Sequence, residues 1–421
     1  MVRAGMGRER ARRVAIVGGG PAGSALAAWL ARAGVRAAFF TRGKRPPIII
    51  GESLVPAVVP FLRDLGIEDE VAAYSQYKPG ATFVFHPTFQ ISFRFAEARG
   101  ARTPYSYNVP RDRFDASVMG AAERAGAQRI DAAARLERDP DGERIRLVGD
   151  ADELARQALG GAPDLIVDAT GRARTVARLL DLPTVEGPRK DTALHAHCTG
   201  VPLVLPGNVH SDRLERGWSW RIPLPGRVSV GVVTPSEHIA QFGNTAEEQF
   251  DAFLRRDECA RQWGEKAERI TPVVRYTNYQ LRSTRGFGAN WALCGDAFGF
   301  IDPVLSSGLL IGFDGARTLA DAILAGKPRG FQRFEKRVIR NLDDWSRIVE
   351  SYYSGRLFTL FKVGEYMKNT FVGKRIDFHF RKHMPRVFTG EATDSRYSMT
   401  IVDFMLHYGL AGNDPDEFAV R

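Results

Sequence analysis

The chain has 421 residues, 44% of them hydrophobic and 26% charged, enough for two or three subdomains around a large core and outside the range of disordered or fibrous sequences. A formal net charge of +10 draws anions to the surface, whether an acidic cofactor or an acidic protein, but the arginines are scattered and no nucleic-acid module is visible. No apolar run approaches the roughly 20 residues of a membrane span. Three widely spaced cysteines (Cys198, Cys259, Cys294) exclude a disulfide framework and a zinc site, and point to a reducing cytoplasm.

The first 13 residues carry five arginines and no apolar h-region, so a frayed basic tail is expected there and not a secretory signal. Residues 13–34 then run from a β-branched strand (Val14, Ile16, Val17) through a glycine turn into a helix bearing Ala25, Leu26, Trp29 and Leu30. The G-x-G-x-x-G of this turn is Gly18, Gly20 and Gly23, with Ala22 at the helix start. Gly18 permits the tight turn, Gly20 lets a pyrophosphate touch the backbone, and Gly23 lets helix and strand pack closely. The helix start supplies unpaired N–H groups to the phosphates.

The second strand, residues 35–40, ends at Thr41 and Arg42, where dinucleotide folds usually carry an acidic residue for a ribose hydroxyl. A threonine bonds the ribose more weakly, and Arg42 could accept a phosphate, which keeps NADP open as a ligand. Next come the polar turn Gly51-Glu52-Ser53, with Ser53 a candidate cofactor contact, and an amphipathic helix (Val58, Val59, Phe61, Leu62, Leu65). Lys78 precedes a Pro79-Gly80 turn and strand-like alternation at Phe83, Phe85, Ile91, Phe93 and Phe95; from composition alone it is an exposed lysine or one placed for function.

Arg111 stands at the start of an alanine-rich helix, where a guanidinium can bind phosphate. Asp168, ending the buried run 164–168, suits a turn or cap as well as a site. His195 and His197 share one face of a strand, and with no carboxylate beside them in sequence they read as packing and not as metal ligands. Trp218 and Trp220 also share a face, forming a wall for a flat ring or part of the core. Residues 290–316 repeat the opening pattern of strand, turn and helix: Asp296 suits a ribitol or ribose hydroxyl, and the backbone of 306–309 offers N–H groups. Beyond Phe331 the periodicity is helical (Phe334, Val338, Leu342, Trp345, Val349).

Gly18-x-Gly20-x-x-Gly23, Arg111, Asp168-x-x-Gly171 and Gly295-Asp296, in this order, resemble the FAD-dependent monooxygenase superfamily of the aromatic hydroxylase type. Within it, Trp218-x-Trp220-x-Ile222-Pro223, Phe300-x-x-Pro303-x-x-Ser306-x-Gly308 and Lys78 in a Lys-x-Gly setting resemble the flavin-dependent halogenase group. The resemblance implies an α/β fold: a Rossmann-like (GR2-type) FAD-binding domain (1–72, 106–190, 285–330), an inserted mixed β-sheet substrate domain (73–105, 191–284) and a C-terminal helical cap (331–421). It implies FAD as cofactor, held by Gly18, Gly20, Ala22, Gly23, Thr41, Arg42, Ser53, Arg111, Asp296, Pro303, Gly308 and Leu309, with Lys78, Trp218, Trp220 and Ser306 in the chemistry.

In this group FADH2 and O2 give a C4a-hydroperoxide, a halide attacks it, and the lysine relays hypohalous acid. Similar enzymes hydroxylate an aromatic ring instead, including a tryptophan within a protein on the way to a quinone cofactor. The expectation is hydroxylation of an indole-like ring, free or on an acidic protein or carrier. The alternatives are halogenation through Lys78 and a flavin reductase of isoprenoid double bonds. Reducing equivalents would come from a separate flavin reductase or from NAD(P)H.

Overall fold

In the computed structural model, residues 12–42, 48–86, 88–140, 142–367, 379–380, 382–410 and 412–421 are described; the basic start through residue 11 lies outside them. Five parallel strands form the first sheet, in the order Trp291–Leu293, Leu165–Asp168, Arg13–Val17, Arg36–Phe40, Gln128–Ile130. This is the doubly wound order, with the crevice for a dinucleotide at the carboxyl end of the first strand. Val14, Ala15, Ile16 and Val17 are all buried, as strands covered on both faces require. The helix Pro21–Arg32 follows directly, with proline at its first position where the missing N–H costs nothing.

A nine-stranded mixed sheet forms the second layer. Its main path runs Gly299–Phe300, Val274–Ser283, Thr184–Thr199, Arg227–Pro235, Trp218–Leu224, Val209–Arg213, Gly80–His86, Phe89–Arg94. One face of its centre (Leu194, Ala196, Val228, Val230, Val232) packs on Phe250, Phe253 and Trp263 in a core of its own. Period-two alternation then turns His195, His197, Ser229, Gly231, Trp218 and Trp220 to the opposite face. The Thr184–Thr199 strand crosses the boundary expected at residue 190. Its first residues fall in the segment assigned from sequence to the FAD-binding domain, yet they are held to Val274–Ser283 by ladder pairs that run, across a register shift between Glu186 and Lys190, from Thr184↔Ser283 to His195↔Val274.

The C-terminal residues are helical: Pro328–Tyr353, Arg356–Met367 and Arg396–Tyr408 are the longer helices. They do not stand apart as a lid. Phe358, Phe388 and Phe418 pack against Phe83, Phe85, Phe89 and Phe93 of the outer strands, with Phe93 and Phe388 stacked at 4.4 Å. No helix among the described residues is long and apolar enough to cross a membrane.

Candidate active site

Two hollows meet at the glycine turn. One is bordered by Gly18, Gly20, Thr41, Arg42, Asp115 and Thr170. The other continues past Gly20 and Ala22 to Ser53, Arg111, Asp296, Pro303, Ser306, Gly308 and Leu309, and ends against Trp218, Trp220 and Ile222. The two hollows share Gly20, Ala169 and Gly171, so they form one cleft running from Thr41 to the tryptophans.

The glycines shape the cleft. A Cβ on Gly18 would lie 2.2 Å from the Ala169 carbonyl oxygen, and one on Gly23 2.1 Å from that of Gly18. These two close the turn. Gly20 has nothing within 4 Å of its absent Cβ, so the space there is open for a phosphate. Ser53, on the wall of the hollow, has a buried Oγ with no hydrogen-bond partner among the described residues, a polar atom left for a ligand.

Arg111 is the first residue of the helix Arg111–Arg124, and its guanidinium is already held. It donates to Asp115 at 2.9 Å and to the carbonyls of Ile50 and Gly51. It therefore shapes the segment 50–54 as well as facing the hollow. Asp168 serves as a cap, accepting from the backbone of Thr170 and Val176 at 2.9 and 2.7 Å. Burial lifts the Asp296 carboxyl to about 6, while Arg111 and Arg172 draw it back down. Ser306 adopts φ +58°, rare for a side-chain-bearing residue, at the end of the turn opened by Asp302 and just before the helix Gly308–Ala325.

Lys78 is 2% exposed. It ends the short strand Gln76–Lys78 and donates from Nζ to the Leu54 carbonyl at 2.7 Å, so the bland expectation of a solvated lysine does not describe it. It is not on the wall of the hollow: the 53–54 backbone stands between. Burial lowers its ammonium to about 7, which makes the free amine available at neutral pH.

The tryptophans form the far wall. Trp220 lies over Gly231, whose Cβ would come within 2.4 Å of the indole, and it donates to Ser229 Oγ at 3.2 Å. Trp218 Nε1 donates to Tyr353 Oη at 2.8 Å, and Tyr353 donates to Asp302 Oδ2 at 3.0 Å. One phenol from the end of a C-terminal helix thus joins the aromatic wall to the turn that carries Ser306. Tyr353→Phe is expected to leave a buried indole N–H unpaired and to cost about 1–3 kcal/mol in denaturant unfolding, with a shift in tryptophan emission. An unchanged midpoint and spectrum would show that the chain of bonds contributes nothing.

Sequence reasoning missed Tyr353 and Asp302, which lie far from Trp218 along the chain. It also missed Glu52, which accepts from His197 Nε2 at 2.8 Å on the wall of the hollow. The shared face of His195 and His197 was the available signal. Burial lowers the His195 imidazole to about 4, and its ring stacks on Tyr276.

A doubly wound sheet, a glycine turn open at Gly20 and a facing aromatic wall define a dinucleotide-dependent flavoenzyme. The model of the tryptophan halogenase family matches residues 13–98 and 86–357, and the chain belongs to that family. Its cofactor is FAD. A 1H-pyrrole-2-carbonyl-(peptidyl-carrier protein) chlorinase from Pseudomonas fluorescens is 27% identical over 386 residues, 83% of this chain and 85% of the relative. A tryptophan 2-halogenase from Chondromyces crocatus is 27% identical over 364 residues, 81% of this chain and 67% of the relative. Among solved structures, the chondrochloren halogenase CndH, an FAD-dependent halogenase, aligns with TM-score 0.70 and 25% identity over 97% of this chain and 99% of its own. The flavin-dependent brominase Bmp2 aligns with TM-score 0.75 and 19% identity over 94% and 99%, a likeness of fold.

Proposed function

We propose that the chain halogenates an electron-rich aromatic ring presented by an acidic carrier domain, a pyrrole being the leading case. The family places halogenation ahead of the hydroxylation expected from the resemblance alone, and ahead of reduction of isoprenoid double bonds. The observation that carries the reading is Lys78: a fully buried lysine whose amine is free near neutral pH, one carbonyl behind the cavity wall. Such an amine reacts with hypohalous acid faster at neutral pH than a solvated lysine, which is almost wholly protonated there. FAD, when bound, supplies the electrons that activate dioxygen. Trp218, Trp220 and Ile222 keep that end of the hollow apolar, which keeps water from the oxidant. The carrier is favoured by the net charge of +10, which steers an acidic domain inward, and by the substrate named for the pseudomonad relative.

The test is intact-mass analysis of carrier-bound pyrrole-2-carbonyl and of free tryptophan after incubation with the chain, reduced FAD, oxygen and bromide. A product bearing bromine is expected on the carrier. A product heavier by a single oxygen, formed equally without bromide, returns the chain to ring hydroxylation.

A further inference from the structure

Resting on the halogenase reading, the chemistry has a proton requirement that hydroxylation lacks. Hydroxylation balances as RH + FADH2 + O2 giving ROH + FAD + H2O. Halogenation balances as RH + X⁻ + FADH2 + O2 + H⁺ giving RX + FAD + 2 H2O. The step balances as FADH2 + O2 + X⁻ + H⁺ giving FAD + HOX + H2O: the halide loses two electrons to oxygen, the O–O bond breaks, an X–O bond forms, and one proton from solvent is needed by the other oxygen, which leaves as water. A dry, apolar pocket needs a place for this proton to enter.

Among the described residues lining the hollow, five carry groups that could matter: Glu52, Arg111, His210, Cys294 and Asp296. Arg111 is occupied by Asp115 and by backbone carbonyls. His210 is fixed by backbone at both nitrogens, Nε2 accepting from Val204 N at 3.0 Å and Nδ1 facing the Asn208 carbonyl at 3.1 Å. Burial pushes the Cys294 thiol up to about 12. Asp296 sits at the turn beside Ala22, facing the cofactor's path.

Glu52 differs from all of these. It is 2% exposed, and its backbone carbonyl is tied to Val109 N at 2.7 Å, so the residue is fixed. Oε1 meets His197 Nε2 at 2.8 Å, and Arg227 Nε donates to His197 Nδ1 at 3.1 Å. Arginine has no acceptor, so Nδ1 must be the bare nitrogen and Nε2 must carry the hydrogen given to Oε1. With both nitrogens spoken for, His197 holds Glu52 in place and cannot itself pass a proton. Oε2 takes no hydrogen bond from any described residue. The charged or titratable neighbours on the elements around it are His195 and His197, Arg227, Arg111 and Asp296.

We propose that Glu52 is the acid through which the proton consumed in forming hypohalous acid enters the cavity, with His197 and Arg227 as its positioning residues.

The experiment is a single turnover with the chain in excess over reduced FAD, oxygen and bromide, in weak buffer read by a glass electrode; taurine is added only after that reading to score hypobromous acid, because its ammonium releases a proton on bromination. No ring substrate is needed. The unaltered chain should take up about one proton per oxygen in a bromide-dependent step and form bromotaurine. Glu52→Gln, with FAD binding retained by fluorescence quenching, should lose both by about 10²-fold or more and release hydrogen peroxide. In Glu52→Ala, added formate should restore proton uptake, a rescue that a purely structural role would not give.

In the cofactor-free chain labelled with ¹⁵N-histidine, the signal missing from His197→Gln should be a neutral ring protonated at Nε2. Undiminished uptake in Glu52→Gln, no rescue by formate, or an Nδ1-protonated His197 overturns the proposal and leaves the halogenase reading intact. Loss of FAD from both variants makes Glu52 a cofactor support and overturns it too. No bromide-dependent uptake in the unaltered chain overturns the halogenase reading, and this inference with it.

Discussion

Lys78→Met is expected to abolish halogen transfer, by about 10³-fold or more, while the chain still binds FAD and still consumes oxygen. The same substitution should make the protein more stable. Lys78 is lowered from 10.5 to about 7 by burial, with the Leu54 carbonyl as its hydrogen-bond partner among the described residues. Between those two values the unfolded chain binds a proton that the folded chain does not, so stability rises with pH across that window. At neutral pH the displaced ionisation corresponds to about 4 kcal/mol, which methionine, of similar length and uncharged, would recover. Urea unfolding at several pH values checks this: a rise from pH 7 to 10 in the unaltered chain, absent in Lys78→Met. Halogenating activity should rise with pH through about 7 as the amine becomes free. Equal stability and activity in the two chains would leave Lys78 a buried packing residue with no part in the chemistry.

Gly20→Ser is expected to remove FAD without disturbing the fold. Gly20 is the N-cap of the helix Pro21–Arg32 with φ −74°, a conformation open to any residue, and its Cβ position is empty. Serine is a better cap than glycine, so stability should hold or rise by a few tenths of a kcal/mol. The side chain would nonetheless occupy the place of the pyrophosphate, and FAD affinity should fall by about a hundredfold, roughly 3 kcal/mol. Flavin fluorescence titration and a thermal melt read the two effects separately. Gly23→Ala is the contrast: its Cβ would collide with the Gly18 carbonyl, so it should lose fold and cofactor together.

The parts of the molecule that were legible from sequence are those whose signal is local. The glycine turn, the Asp296 turn and the paired tryptophans each spell their geometry within a few residues, through absent side chains or period-two alternation. Lys78 was not legible this way, since nothing beside it announces that Phe95 and the 53–54 backbone will enclose it. Resemblance marked it, and burial gives the physical reason to take it seriously. Glu52 and His197 are 145 residues apart, and Trp218 and Tyr353 are 135 apart. Each pair meets only because the mixed sheet folds over the crevice. The Thr184–Thr199 strand misled for the opposite reason: residues 184–190 are largely solvated and polar, and only their ladder partners reveal them as sheet.

That strand limits how the layers move. It runs from beside the nucleotide-binding layer to the heart of the aromatic wall, paired to Val274–Ser283 at 184–186 and 190–195 on either side of a register shift. Two strands paired along this crossing resist the sliding of one layer past the other, and the register shift between Glu186 and Lys190 is where the pair would bend. Molecules reach the chemistry through the openings of the two hollows that meet at the glycine turn. The flavin, once threaded in, should leave slowly compared with small ions and rings that slip through the same openings.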